Sequence, residues 1–125
     1  MPPKTYKHKI SIMVTEEQNT PNSFSPLKNA LGVIGGKWKL CVIVAVRDDN
    51  KRFRDIIKFV EGISPKVLSG ELRHLEMYGL IERTVHTGRP VVVEYSITDF
   101  GRSLDSLITA FLNWGMTYLD KCESS

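Results

Sequence analysis

The sequence predicts a mainly α-helical domain that carries one small β-hairpin. Three observations lead there. Apolar residues recur at helical spacing in five segments, punctuated by Ser-Pro starts and glycine stops. Two short strand-like runs, IERTVH and VVVEYSI, flank Thr87-Gly88-Arg89-Pro90 late in the chain. A length of 125 residues, 42% hydrophobic and 25% charged, suits one folded core rather than two.

Residues 1–24 are polar, with Pro2, Pro3, Pro21 and a single alternating apolar patch at Ile10, Ile12 and Val14. The patch fits an edge strand and its surroundings fit a flexible arm; both stay open. The folded domain, residues 25–122, begins at Ser25-Pro26, an N-cap followed by proline at the first helical position. Leu27, Ala30, Leu31 and Ile34 then recur at helical spacing until Gly35-Gly36. A second helix from about Lys37 to Arg47 contains WKLCVIVAV, apolar nearly all round and therefore expected to be buried. Asp48, Asp49 and Asn50 form a turn. In the third helix Phe53, Ile56, Ile57 and Val60 share one face, and Gly62 ends it. Ser64-Pro65 repeats the start signal for a fourth helix that runs to about Tyr78 and closes at Gly79. Gly88 is expected to supply an unusual backbone angle at the hairpin tip. Thr98 then caps one last helix reaching about Lys121.

Lys and Arg number 17 against 14 Asp and Glu, a formal charge of +3 that neither demands nor excludes a polyanionic partner. Distribution is more informative. Lys4, Lys7 and Lys9 load the N-terminus, and Lys51, Arg52, Arg54 and Lys58 surround Asp55. From Glu61 to Arg89, Lys66, Arg73, Arg83 and Arg89 are balanced by Glu61, Glu71, Glu76 and Glu82. Any nucleic-acid surface there depends on which face each charge occupies. No apolar run approaches a membrane span, the N-terminus lacks a signal-peptide core, and two distant cysteines make no disulfide framework. A reducing, cytoplasmic setting is expected.

The fourth helix is the most informative segment. At 100° per residue Leu68, Leu72 and Leu75 share a narrow face, while Lys66, Ser69, Gly70 and Arg73 share the opposite one. His74 and Val67 sit on its shoulder, and the acids fall off its centre. Lys and Arg can pair with guanine edges or phosphates, Ser can bond either, and Gly lets a backbone approach closely. The preceding helix is joined through only Glu61-Gly62-Ile63, as in a helix-turn-helix. Arg52 and Ser64 are then candidate phosphate contacts. An ordinary amphipathic helix pair with a solvated polar face has the same periodicity. The following hairpin, with Arg83, His86 and Arg89 toward its tip, favours a winged helix whose wing reaches the minor groove.

Several stretches together resemble the HxlR-type winged helix-turn-helix transcriptional regulators. They are IGGKWKL (34–40), RFRDI (52–56), GISPKVLSGELRHLE (62–76), GLIERTV (79–85), VEYSITDFGRSL (93–104) and the late Trp114-Gly115. The resemblance implies a homodimeric, cytoplasmic regulator that binds operator DNA, with Ser64 to Glu76 as recognition helix and Val85 to Val93 as wing. The double-stranded operator would be pseudo-palindromic, with half-sites about one helical turn apart. Two residues depart from the family pattern. Ser25 stands where many members carry a thiol before the first-helix proline, so thiol sensing there is lost. Gly70 replaces a longer polar residue. Cys41 lies among Leu40, Val42 and Ile43 and is expected to be buried and inert; Cys122 lies near the end of the last helix.

In that last helix Leu104, Leu107, Ile108, Phe111, Leu112, Trp114, Tyr118 and Leu119 fill a wide arc. The stripe is wider than packing on one small domain requires, so the helices at both ends of the domain are expected to form a dimer interface; a stripe that covers only the domain's own core is the alternative. An enzyme is not indicated. His8, His74 and His86 are dispersed, no Cys stands at a metal-ligand spacing, and the glycines at 32, 35 and 36 lack a preceding strand. Glu71 and Glu76 are expected to be solvated. No cofactor or metal is therefore expected. A winged-helix module that binds a protein or small ligand and no DNA remains the alternative, and a small-molecule effector between the first and last helices is left unidentified.

Overall fold

The computed structural model describes residues 25–124. In chain order these form α1 (Ser25–Ile34), α2 (Lys39–Arg47), α3 (Phe53–Phe59), α4 (Pro65–Met77), β1 (Ile81–His86), β2 (Val92–Ile97), α5 (Asp99–Arg102) and α6 (Asp105–Ser124). The expected N-terminal arm lies outside the described residues.

The core gathers where α2, α3 and α4 meet the base of the hairpin. Val42, Ile43, Ala45 and Val46 of α2 pack with Ile56, Val60, Ile63, Leu68, Leu72, Leu75, Leu80 and Ile81. Each large aliphatic side chain buried there contributes about 1.5–3 kcal/mol. Ile34 and Ile108 bring α1 and α6 to the same core. Most of the α1 stripe faces outward instead: Leu27 and Leu31 are exposed.

Helix ends are fixed by local chemistry. At α4 the Ser64 hydroxyl accepts the Val67 N–H at 3.2 Å, with Pro65 in the first turn. At its other end Leu80 N–H reaches Leu75 O and Gly79 N–H reaches Glu76 O, while Gly79 has φ 75°. This is a Schellman closure. The same pattern ends α2, where Asn50 N–H reaches Ala45 O and Asp49 N–H reaches Val46 O. Here Asp49 holds the positive φ, 67°.

β1 and β2 pair antiparallel from Ile81↔Ile97 to His86↔Val92. Tyr95 N–H also donates to Lys51 O at 2.7 Å, tying β2 to the segment before α3. Gly88 does not take the left-handed angle expected of it. The connection spans the five residues Thr87 to Val91, and its Arg89–Pro90 peptide bond is cis.

The expected single last helix is two. Gly101 of α5 packs directly against the Leu80 carbonyl at the hairpin base. Ser103 Oγ donates to Phe100 O, and the Ser103 and Leu104 N–H groups bond back only three residues. A tightened turn and a competing hydroxyl end α5 before α6 begins at Asp105. Thr98 caps the first piece: its hydroxyl accepts Gly101 N–H at 2.9 Å and donates to Gly79 O at 2.6 Å. Arg47 at the end of α2 lies 3.6 Å from Asp105 in the first turn of α6. No single helix among the described residues is long and apolar enough to cross a membrane.

Gly101→Ala tests this junction, because an added Cβ would stand 2.1 Å from Leu80 O and 2.8 Å from Ile97 Cδ1. Urea unfolding should show a loss of about 2–4 kcal/mol. A loss below about 0.5 kcal/mol would mean that the contact is not tight.

Candidate nucleic-acid interface

The helix-turn-helix is built by α3, Val60 to Ser64, and α4. Gly62 has φ 91°, which a side chain would strain, and the Trp38 ring lies beside it. Ile63 N–H bonds Val60 O at 3.3 Å and its side chain is buried, anchoring the turn. Leu68, Leu72 and Leu75 of α4 are 0–2% exposed. With those residues inward, 3.6 residues per turn direct Lys66, Ser69 and Arg73 outward, and all three are exposed. Val67 and His74 are exposed on the shoulder, as expected. Gly70 is half-buried, and an added Cβ there meets nothing within 4 Å.

Ser64 caps α4, as its Ser-Pro start signal predicts, and is also a candidate phosphate contact. Its oxygen accepts the Val67 N–H, leaving the O–H as the group able to meet a phosphate. Arg52, exposed just before α3, lines an open cleft of about 530 Å³ with Phe53, Arg54, Asp55 and Pro90 to Val93. The cleft joins the start of the helix-turn-helix to the second strand of the wing. Arg89 is exposed at the wing tip.

His86 does not stand free. Its Nε2 lies 2.7 Å from Glu94 Oε1 across the hairpin. The register pairs His86 with Val92 and Thr84 with Glu94, so both side chains share one face of the ribbon, one diagonal apart. Glu94 was not among the expected site residues, and nothing local in the sequence marks it. Glu71, expected to be solvated, is instead mostly buried against Lys39 of α2, with Nζ 3.0 Å from Oε2. The partners are separated by 32 positions, beyond the reach of helical periodicity.

The expected dimer residues divide into two groups. Leu104, Leu107 and Ile108 pack on the domain's own core, because α6 crosses the body in its first turns. Phe111, Leu112, Trp114, Tyr118 and Leu119 are 52–67% exposed, and Met116 joins them. Trp114 and Tyr118 stack at 5.6 Å between ring centroids. Cys41 is exposed, contrary to expectation. α2 buries Val42, Ile43, Ala45 and Val46 but keeps a side turned outward, and Cys41 lies on it. Cys122 is exposed as well. Among the described residues no three His, Cys, Asp or Glu side chains converge on a common point.

Two helices joined by a short turn, the second exposing a cationic side and followed by a two-stranded ribbon, define a winged helix-turn-helix protein. The chain belongs to the HxlR-like helix-turn-helix family, whose model matches residues 33–123. Among relatives, it is 39% identical over 98 residues to the HTH-type transcriptional regulator YdeP of Bacillus subtilis, covering 78% of this chain and 77% of that one. A regulator of the same type from Methanothermobacter thermautotrophicus is 38% identical over 96 residues, covering 77% and 73%. The reduced form of the redox regulator HypR superposes with TM-score 0.73 at 37% identity, over 80% of this chain and 99% of HypR. A MarR-family regulator from Enterococcus faecalis superposes with TM-score 0.70 at 30% identity, over 85% and 96%.

The open space at Gly70 has a measurable consequence. Gly70→Ala should raise stability by about 0.5–1 kcal/mol, by removing backbone entropy from a helix interior at no steric cost. A destabilised variant in thermal or urea unfolding would contradict the open environment.

Proposed function

We propose that this chain, a DNA-binding transcriptional regulator, lays the outward side of α4 in the major groove of its operator. The observation that carries this is the division of α4: Leu68, Leu72 and Leu75 are buried while Lys66, Ser69 and Arg73 are exposed beside an arginine-tipped hairpin. Lys66, Ser69 and Arg73 meet base edges, and Val67, Gly70 and His74 form the surrounding contact surface. Arg52 and Ser64 meet phosphates, and Arg89 follows the minor groove. His86 acts in the wing together with Glu94, and its contact with DNA depends on that pair.

The protein acts in the cytoplasm as a homodimer. Phe111, Leu112, Trp114, Tyr118 and Leu119 leave an apolar side of α6 in water, and Leu27 and Leu31 do the same on α1. Exposed apolar side chains gathered on two helices of a small domain are relieved most simply by a two-fold copy. The operator is then pseudo-palindromic, with half-sites about one helical turn apart.

Titration of duplex DNA at two salt concentrations tests the assignment. Tight binding with a steep salt slope is expected, and no binding at low salt would sink it. Arg73→Ala should weaken operator binding by about 1–3 kcal/mol and relax base preference at one position of each half-site. Unchanged affinity would place the recognition surface elsewhere. For the dimer, Phe111→Glu with Leu112→Glu should sediment as a folded monomer with lowered operator affinity. A variant that remains dimeric would exclude this side of α6 from the interface.

A further inference from the structure

Glu71 occupies an awkward place for a DNA-binding helix. It lies one helical turn from both Val67 and His74, on the flank of α4 between the buried leucines and the outward side. An anionic side chain there would sit close to phosphates once the helix entered a groove, and like charges in a closing interface repel. The fold places Lys39 of α2 against it. The ammonium is 3.0 Å from Oε2, and the two side chains retain only 15% and 17% of their exposure.

We infer that Lys39 is a positioning residue for DNA binding, which neutralises Glu71 and makes the flank of α4 compatible with the phosphate backbone. The inference rests on the DNA-binding assignment above. At 15% exposure the Lys39 side chain is turned in toward α4, which distinguishes it from Lys66 and Arg73, both exposed and able to reach a phosphate. Its positive charge acts through Glu71. Because α2 is the most buried helix of the core, with Val42, Ile43 and Ala45 at 0% exposure, the pair also ties α4 to a rigid support. A carboxylate held on that support cannot swing toward the groove.

Removal of Lys39 should therefore weaken DNA binding only while Glu71 keeps its charge. The test uses the full chain, a labelled duplex of mixed sequence and several salt concentrations, with thermal melting run in parallel. Lys39→Met should lose about tenfold in affinity at low salt, the scale of one uncompensated charge near phosphates. The double variant Lys39→Met with Glu71→Gln should return to the affinity and salt slope of the unmodified protein. A double variant as weak as Lys39→Met would overturn the inference and make Lys39 a direct phosphate contact, with the salt slope lowered by about 0.9. Unchanged affinity in a folded Lys39→Met would overturn it too.

Glu71→Gln alone covers the case in which Lys39→Met fails to fold, since it leaves no unpaired carboxylate. Its affinity should equal or exceed that of the unmodified protein. A fall would show that the Glu71 carboxylate itself favours DNA, and would overturn the inference. If the unmodified protein did not bind the duplex at low salt, both the inference and the DNA-binding assignment would fail. That result is distinct from a loss confined to Lys39→Met.

Discussion

The burial of Leu68, Leu72 and Leu75 is the constraint on which the candidate interface depends. Three leucines on one narrow side of α4 fix the rotation of that helix about its own axis. A rotation of one residue would take a leucine toward water and a polar side chain toward the core, losing on the order of 2 kcal/mol per displaced leucine. Once the rotation is fixed, helical geometry leaves no choice about where Lys66, Ser69 and Arg73 point. The chemistry of the exposed side follows from apolar packing that touches no ligand.

The rest of the domain holds that helix at both ends. Ser64 and Gly62 set its entry angle, and Gly79 closes it so that the chain can turn straight into β1. Thr98 bonds the same Gly79–Gly101 region, joining the end of α4, the end of β2 and the start of α5 in one small hydrogen-bonded junction. The hairpin and α4 are therefore joined through a shared set of hydrogen bonds. Leu104, just before α6, and Leu107 and Ile108 in its first turn lie against the core, and the aromatic residues beyond them are exposed.

What the sequence made legible was local. The leucine periodicity, the Ser64 cap and the Gly79 closure each depend on residues within a few positions of one another, and the paired strands are joined by one short loop; each is found in the structure. What stayed hidden was set by tertiary contacts. The division of the last helix, with Gly101 packed on the Leu80 carbonyl and a tightened turn at Ser103 and Leu104, is encoded by no helical pattern. The His86–Glu94 and Lys39–Glu71 pairs join residues from different elements. Cys41 shows another limit: an apolar run does not say which of its sides the small core leaves uncovered. The division of the α6 stripe into packed and exposed parts has the same origin.

On the proposed reading the outward side of α4 and the wing meet DNA while α6 does not, and backbone amide signals followed by NMR as duplex DNA is added distinguish the two surfaces. Shifts should concentrate at Ser64 to His74, around Arg52 and at the wing tip near Arg89, leaving Phe111 to Leu119 unchanged. Shifts confined to α6, with the amides of Lys66, Ser69 and Arg73 unmoved at saturation, would place the DNA contact elsewhere.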